Sequence, residues 1–154
     1  NFIIYEYMVH VEEFSKKIAS KRTFSVVKDK EYFRWRYVER PKVDYRIRFF
    51  VEEDVIQGYI VYKVYRALNR IHIVDVEAAN EDVLYALIEL ADSFDESLEI
   101  VNVWNSSIYN DYFLKAGFKL SSESNNLIAI KPQVKQEVLL GDKVNIVLGD
   151  NEVV

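Results

Sequence analysis

The sequence predicts a mixed α+β (α/β mixed) domain with a mostly antiparallel central sheet flanked by about four helices. Three observations carry this. The β-like runs Tyr45 to Glu52, Val55 to Tyr65 and Arg70 to Val76 are separated only by Glu53-Asp54 and by Ala67 to Asn69, the short polar punctuation of hairpins, so they pair antiparallel in chain order. Apolar residues at helical spacing precede this meander at Val11, Phe14, Ile18 and Ala19, and follow it at Val83, Leu84, Leu87, Ile88, Ala91 and Phe94. A further strand-like run after that second helix completes a crossover, which makes it parallel to the strand before the helix.

Taken in order, Asn1 to Val9 is apolar and aromatic enough for a first strand. The helix from Val11 follows. A second, short helix spans about Asp29 to Val38, crowded with the rings of Tyr32, Phe33, Trp35 and Tyr37 and closed by Pro41, whose ring cannot continue a helix. After the meander, Asn80 to Phe94 carries the strongest helical signal: Asn80 is an N-cap type, and Glu81 and Asp82 place negative charge at the positive end of the helix dipole. Leu98 to Val103 is the parallel strand. A helix from Ser106 or Ser107 to Ala116 ends at Gly117, the residue type that most readily takes the left-handed conformation closing a helix. Phe118 to Ser121 and Asn126 to Ile130 are two last strands. Beyond Pro132, the stretch from Val138 to Val154 holds strand-like pieces between Gly-Asp turns, so residues 1–131 form the domain and 132–154 an extension packed on it.

The chain has 154 residues, 50% of them hydrophobic, enough for one core. Lys and Arg number 20 against 25 Asp and Glu, a formal charge of -5, which argues against a nucleic-acid partner. With no cysteine, disulfides, thiolate metal sites and cysteine nucleophiles are excluded. No apolar run approaches the roughly 20 residues of a membrane-spanning helix and no signal-peptide pattern opens the chain, so the expectation is a cytoplasmic protein with no membrane partner. Because it begins at Asn1, directly in an apolar run, the chain reads as a piece of a longer protein with a possible domain upstream. No metal site is expected.

The stretch Val101 to Leu120, VNVWNSSIYNDYFLKAGFKL, joins a strand, a helix and a second strand through Gly117-Phe118. Together with the element order over roughly Phe2 to Lys131, it resembles the acyl-CoA-binding C-terminal portion of the GNAT family of N-acetyltransferases. Tyr32-Phe33-Arg34-Trp35-Arg36-Tyr37 followed by Pro41 and Tyr45, and the tail Val144 to Glu152 with its Gly149-Asp150, look like a prokaryotic subgroup of GNAT-like proteins. The resemblance implies a GNAT-like fold whose parallel strand pair splays apart in mid-sheet, opening a crevice beside Asp75. It also implies transfer of an acetyl group from acetyl-CoA to a small-molecule or peptide amine, or alternatively a catalytically silent structural or recognition module of a longer two-domain protein.

In that family the fourth strand and the start of the next helix hold the cofactor. Carried over, Val74, Asp75 and Val76 offer backbone to the pantetheine arm, Ala78, Ala79 and Asn80 form the pyrophosphate turn, and Asn105 and Tyr109 approach from the following helix region. The physical basis is anion binding at a helix N-terminus. Yet Asp75 to Asp82 contains no glycine, and Glu77, Glu81 and Asp82 bring carboxylates to the place of a pyrophosphate. A helix dipole is worth roughly 0.3–1 kcal/mol to an anion, whereas a like-charge pair at about 4 Å costs about 1 kcal/mol in water and about 4 at a surface-like dielectric. Weak binding, or binding through the pantetheine arm alone, follows unless those side chains turn outward.

The resemblance also implies a general acid, a Tyr four residues before the glycine of the Gly-Phe pair, which protonates the leaving thiolate. That position is Phe113, so the role passes to Tyr109 or Tyr112, with Tyr109 pointing closest to the Phe113 face. Asn105 lies one residue from the family's Asn position, which Ser106 fills. The general base is a carboxylate on the central strands. Alternation places Ile71, Ile73, Asp75 and Glu77 on one face, making Asp75 and Glu77 the candidates.

Other polar and aromatic residues have ordinary structural accounts. Trp35 and its neighbours are expected to pack in a core or interface, and His72 to be a satisfied, partly buried imidazole. Lys28, Lys30, Arg34, Arg36 and Arg40 read as a solvated helix face, Arg34 or Arg36 being able to clamp an anion. Asp142, Asp150 and Glu152 belong to turns.

Overall fold

Helix α1, Val11–Ala19, forms because its apolar residues fall on one stripe: Val11, Phe14 and Ile18 are buried, with Glu12 and Glu13 in the first turn and Lys16 and Lys17 in the last, each sign matched to the helix dipole. In this computed structural model residues 8–22, 24–40, 42–93, 100–103, 108–119 and 144–145 are described. The first strand expected at Asn1 to Val9 lies mostly outside them, and Met8 and Val9 already lead into α1. A two-residue strand, β1 (Phe24–Ser25), precedes helix α2, Lys30–Phe33, which starts on Asp29, whose carboxylate accepts the Tyr32 N–H at 2.7 Å.

The helix expected to reach Val38 changes character after Phe33. Arg34–Val38 is a π turn, closed by Glu39 N–H on the Arg34 carbonyl at 2.9 Å, five residues back. Phe33 and Tyr37 turn inward with ring centroids 5.5 Å apart, while Trp35 between them is 66% exposed. Trp35 is therefore a surface residue, not the packed one the sequence suggests.

Strands β2 (Tyr45–Glu52), β3 (Val55–Tyr65) and β4 (Arg70–Ala78) form the antiparallel meander. The first hairpin closes on Glu53 and Asp54, both at positive φ (49° and 61°), as a tight turn matched to strand twist requires. The second closes through Arg66–Leu68 and left-handed Asn69. Asn80 caps helix α3 (Glu81–Asp92), its side-chain oxygen accepting the Val83 N–H at 3.0 Å. Strand β5 (Ile100–Val103) then pairs parallel with β4 from Arg70–Ile100 to Ile73–Val103, giving the order β2-β3-β4-β5. Helix α4 (Asn110–Lys115) ends at Gly117 with φ 96°, and Phe118 packs on Phe113 at 5.1 Å. Among the described residues this makes a mixed α+β fold with four helices.

The tail contributes β6 (Val144–Asn145), which pairs parallel with β1 rather than joining the main sheet. The two strands expected after Gly117 lie outside the described residues apart from Phe118 and Lys119, which are not in a strand. The boundary expected at residue 131 also lies outside them. No helix among the described residues is long and apolar enough to cross a membrane.

Two apolar clusters sandwich the sheet. Ile71, Ile73, Val76 and Ala78 pack with α3 and α4 on one face, while Val74 joins Tyr59, Val61 and the α1–α2 residues on the other. The odd-even pattern of β4 breaks because Val61 faces Asp75 and Tyr62 faces Ile73, leaving Val74 as a bulge. One inserted residue reverses the parity of everything after it. Ile71 and Ile73 thus do not share a face with Asp75, as simple alternation predicts.

Candidate functional site

The two carboxylates offered as bases sit two residues apart on β4, and each is met by a cation from the segment following α1. Asp75 is 1% exposed. Its oxygens accept from Lys28 Nζ at 2.8 and 2.9 Å and from the Tyr37 hydroxyl at 2.9 Å, with the Tyr59 hydroxyl at 3.4 Å. Lys28 is directed there because its own N–H donates to Ser15 Oγ at 2.7 Å, tying the segment to α1. With 2% exposure Lys28 is no solvated side chain, and Arg36 at 4% is not one either. A buried ion of either sign is tolerable only with its partner, so Lys28 and Asp75 account for each other. Burial, and then the negative charge of Asp75, push the Tyr37 hydroxyl well above the usual phenol range.

Glu77 is held from a second direction. Arg22 forks onto it, Nη1 to Oε1 at 2.6 Å and Nη2 to Oε2 at 2.7 Å, and Nη2 also donates to the Tyr109 hydroxyl at 2.9 Å. Tyr109 in turn donates to Glu77 Oε2 at 3.0 Å. Burial first, then the Glu77 charge, raise the Tyr109 phenol; Arg22 and the Ala78 N–H pull the other way without prevailing.

The Ala78 amide explains why Tyr109 stands where it does. Ala78 lies opposite Gly58, and the next amide, Ala79 N–H, goes to the β3 carbonyl of Gln57 at 2.8 Å. Amides alternate sides along a strand, so Ala78 N–H points away from β3. It meets the Tyr109 hydroxyl at 3.4 Å. Among the described residues the register of β4 with β5 runs from Arg70–Ile100 to Ile73–Val103, and β4 itself extends to Ala78.

Of the residues singled out in the sequence, Tyr109 and Glu77 come together, whereas Asp75 belongs to the Lys28–Tyr37 cluster. Tyr112 is half-buried and packs against the rings of Tyr85 and Tyr109, each at 6.4 Å, with Lys115 Nζ 5.5 Å from its own ring. Among the cofactor candidates Val74, Val76 and Ala78 are buried, Ala79 is half-buried and Asn80 is exposed. Asn80 also occupies one of the free amides at the start of α3. Asn105 lies outside the described residues. The repulsion expected of three carboxylates is smaller than the sequence implies: Arg22 offsets Glu77, and Glu81 and Asp82 are exposed. Among the described residues no group of three His, Asp or Glu side chains gathers to hold a metal.

Arg22, Lys28, Tyr37 and Tyr59 have no place in the sequence-based site. Arg22 is 55 positions from Glu77 and Lys28 is 47 from Asp75, and no local pattern links such pairs. No family model, curated protein or solved structure matches the chain.

Proposed function

We propose that this chain is a GNAT-like domain that binds acyl-CoA along the β4 backbone from Val74 to Ala78 and transfers the acyl group to an amine, with Glu77 as base and Tyr109 as acid. The observation that carries this is the Tyr109 hydroxyl, in hydrogen-bond reach of both Glu77 and the outward-pointing Ala78 amide. The Ala78 amide faces away from β3 and its contact with the Tyr109 hydroxyl is long, at 3.4 Å, which suits it to donate instead to a pantetheine carbonyl.

The proton balance closes within the pair. As the amine nitrogen bonds to the thioester carbon, Glu77 takes its proton, directly or through water, and Tyr109 gives its own proton to the departing sulfur. The proton on Glu77 then returns to the Tyr109 oxygen along their 3.0 Å hydrogen bond, restoring both groups. The order matters. Burial and the Glu77 charge both hold the proton on Tyr109; once Glu77 has taken the amine proton its share is lost while Arg22 and the Ala78 amide still pull against burial, so acid strength rises when it is needed.

A second reading, a catalytically silent structural or recognition module, is favoured by the pyrophosphate turn. Residues 75–82 lack glycine, and the Asn80 side chain takes up an amide at the start of α3. Calorimetric titration with acetyl-CoA separates the two. Binding at 100 times the dissociation constant stabilises the domain by about 2.7 kcal/mol. Neither heat nor a melting shift at millimolar acetyl-CoA leaves only the silent module.

A further inference from the structure

Arg22 touches both members of the Tyr109–Glu77 pair, yet it has no atom to give to the transfer. Its side chain is 9% exposed, and the Glu77 side chain 6%. It is anchored locally, the Arg22 N–H reaching back to the Ala19 carbonyl at 3.0 Å as the chain leaves α1. Six residues on, Lys28 binds Asp75, so one short segment supplies cations to both β4 carboxylates. The Arg22 fork reaches past its carboxylate to a second functional group, the Tyr109 oxygen. A guanidinium suits this task because its planar donors meet two carboxylate oxygens and a third acceptor at once, which an ammonium on a flexible stem does not.

We propose that Arg22 is the positioning residue of this pair: its guanidinium fork fixes the Glu77 carboxylate and holds the Tyr109 hydroxyl so that its proton points at Glu77. The assignment rests on the acyltransferase reading for its catalytic meaning, but the state of Glu77 is measurable without turnover. With Arg22 removed, a carboxylate this buried loses its bidentate partner, and an unpaired charge there is costly. Tyr109 then loses both its charged acceptor and the donor that orients it.

The test compares wild type, Arg22→Gln and Arg22→Lys. Difference infrared spectroscopy across the neutral range should show a protonated carboxyl band in Arg22→Gln, absent from wild type and from Arg22→Gln/Glu77→Gln. With acetyl-CoA and an amine acceptor, kcat should fall by about 100-fold or more, the lower end of what general acid–base groups contribute. KM for acetyl-CoA should stay within about twofold, because Arg22 touches the proton-transfer groups and not the β4 amides. The acidic limb of the kcat profile should move to higher pH, and added guanidinium ion should restore part of the rate. If Arg22→Gln does not fold, Arg22→Lys carries the test, with charge kept but the fork lost: a lowered kcat at unchanged KM supports the role. Wild-type kcat and pH profile in the folded variant, or no new carboxyl band, overturns it. A wild type that never turns over acetyl-CoA removes the acyltransferase reading alone, and the infrared result still decides whether the Glu77 carboxylate depends on Arg22 as its partner.

Discussion

The Tyr109 hydroxyl stands 3.4 Å from the Ala78 amide nitrogen and 3.0 Å from Glu77 Oε2, so a side chain from the start of α4 takes the position beside β4 that a further strand residue would hold. This relationship joins the fold to the proposed chemistry. In the proposed reading it places a proton donor on the side of β4 that faces away from β3, along the path of the acyl chain.

Tyr109→Phe tests it. The substitution removes the donor and leaves the ring, so turnover should fall by about 10²–10⁴ if Tyr109 is the acid. Loss of the hydroxyl also leaves a buried carboxylate oxygen and an amide less well satisfied, costing about 1–3 kcal/mol in urea unfolding. Tyr112→Phe should match wild type in both assays. Turnover retained in both variants removes the acid role from these tyrosines.

Lys28→Met should be among the most destabilising single changes in the domain. It strips the cation from Asp75 and leaves a carboxylate that is 1% exposed. Breaking a buried pair from one side costs about 3–5 kcal/mol, which at this chain length lowers the melting temperature by about 6–20 °C. Adding Asp75→Asn should recover part of the loss, since an amide carries no charge and still accepts from Tyr37. A Lys28→Met loss below about 1 kcal/mol contradicts the account of this pair.

What the sequence made legible was local. The hairpin at Glu53-Asp54, the Asn80 cap and the glycine end of α4 each depend on a few neighbouring residues, and each is where periodicity and turn chemistry put it. The bulge at Val74 depends on which residues of β3 lie opposite, and alternation within β4 alone cannot register it. Even so, Asp75 and Glu77 were both recognisable as strand carboxylates. Their partners were not, because Arg22, Lys28 and Tyr37 are brought to β4 by tertiary packing across 55, 47 and 38 positions. Trp35 was expected in a core or interface on the strength of its ring alone; it is not in the core, because it lies between the inward-facing Phe33 and Tyr37 and so points outward.

Stability should fall as pH rises above about 10. Tyr37 and Tyr109 have folded-state values raised above the ordinary 10.0, by burial first and then by Asp75 and Glu77 respectively. Above that value the unfolded chain sheds these two protons while the folded chain keeps them, so the unfolded state binds fewer protons and the slope of unfolding free energy with pH is negative. The stabilisation is fully present below pH 10 and is lost progressively above it, by roughly 1.4 kcal/mol per pH unit for each group that stays protonated. Urea melts at about pH 9, 10 and 11 measure the slope, and Tyr37→Phe should flatten it. An unchanged slope in that variant removes Tyr37 from the effect.

Gly58→Ala should disturb both faces of β4 from a distance. A methyl group there would come within 2.7 Å of Val83 Cγ1, 2.8 Å of the Glu77 carbonyl oxygen and 3.0 Å of Leu87 Cδ1. The two side chains belong to α3 and have some freedom to shift, but the carbonyl is backbone and is fixed in the β3–β4 ladder, where Glu77 lies opposite Tyr59 and Ala78 opposite Gly58. Overpacking of this kind costs about 1–3 kcal/mol. Because the atom pushed is on Glu77 itself, the strain falls on the residue that Arg22 and Tyr109 must reach. Gly58→Ala should therefore reduce turnover more than an equally destabilising change in α3, such as Leu87→Ala, when both are assayed well below their melting temperatures. Equal activity in the two variants at matched stability contradicts a role for Gly58 in seating Glu77.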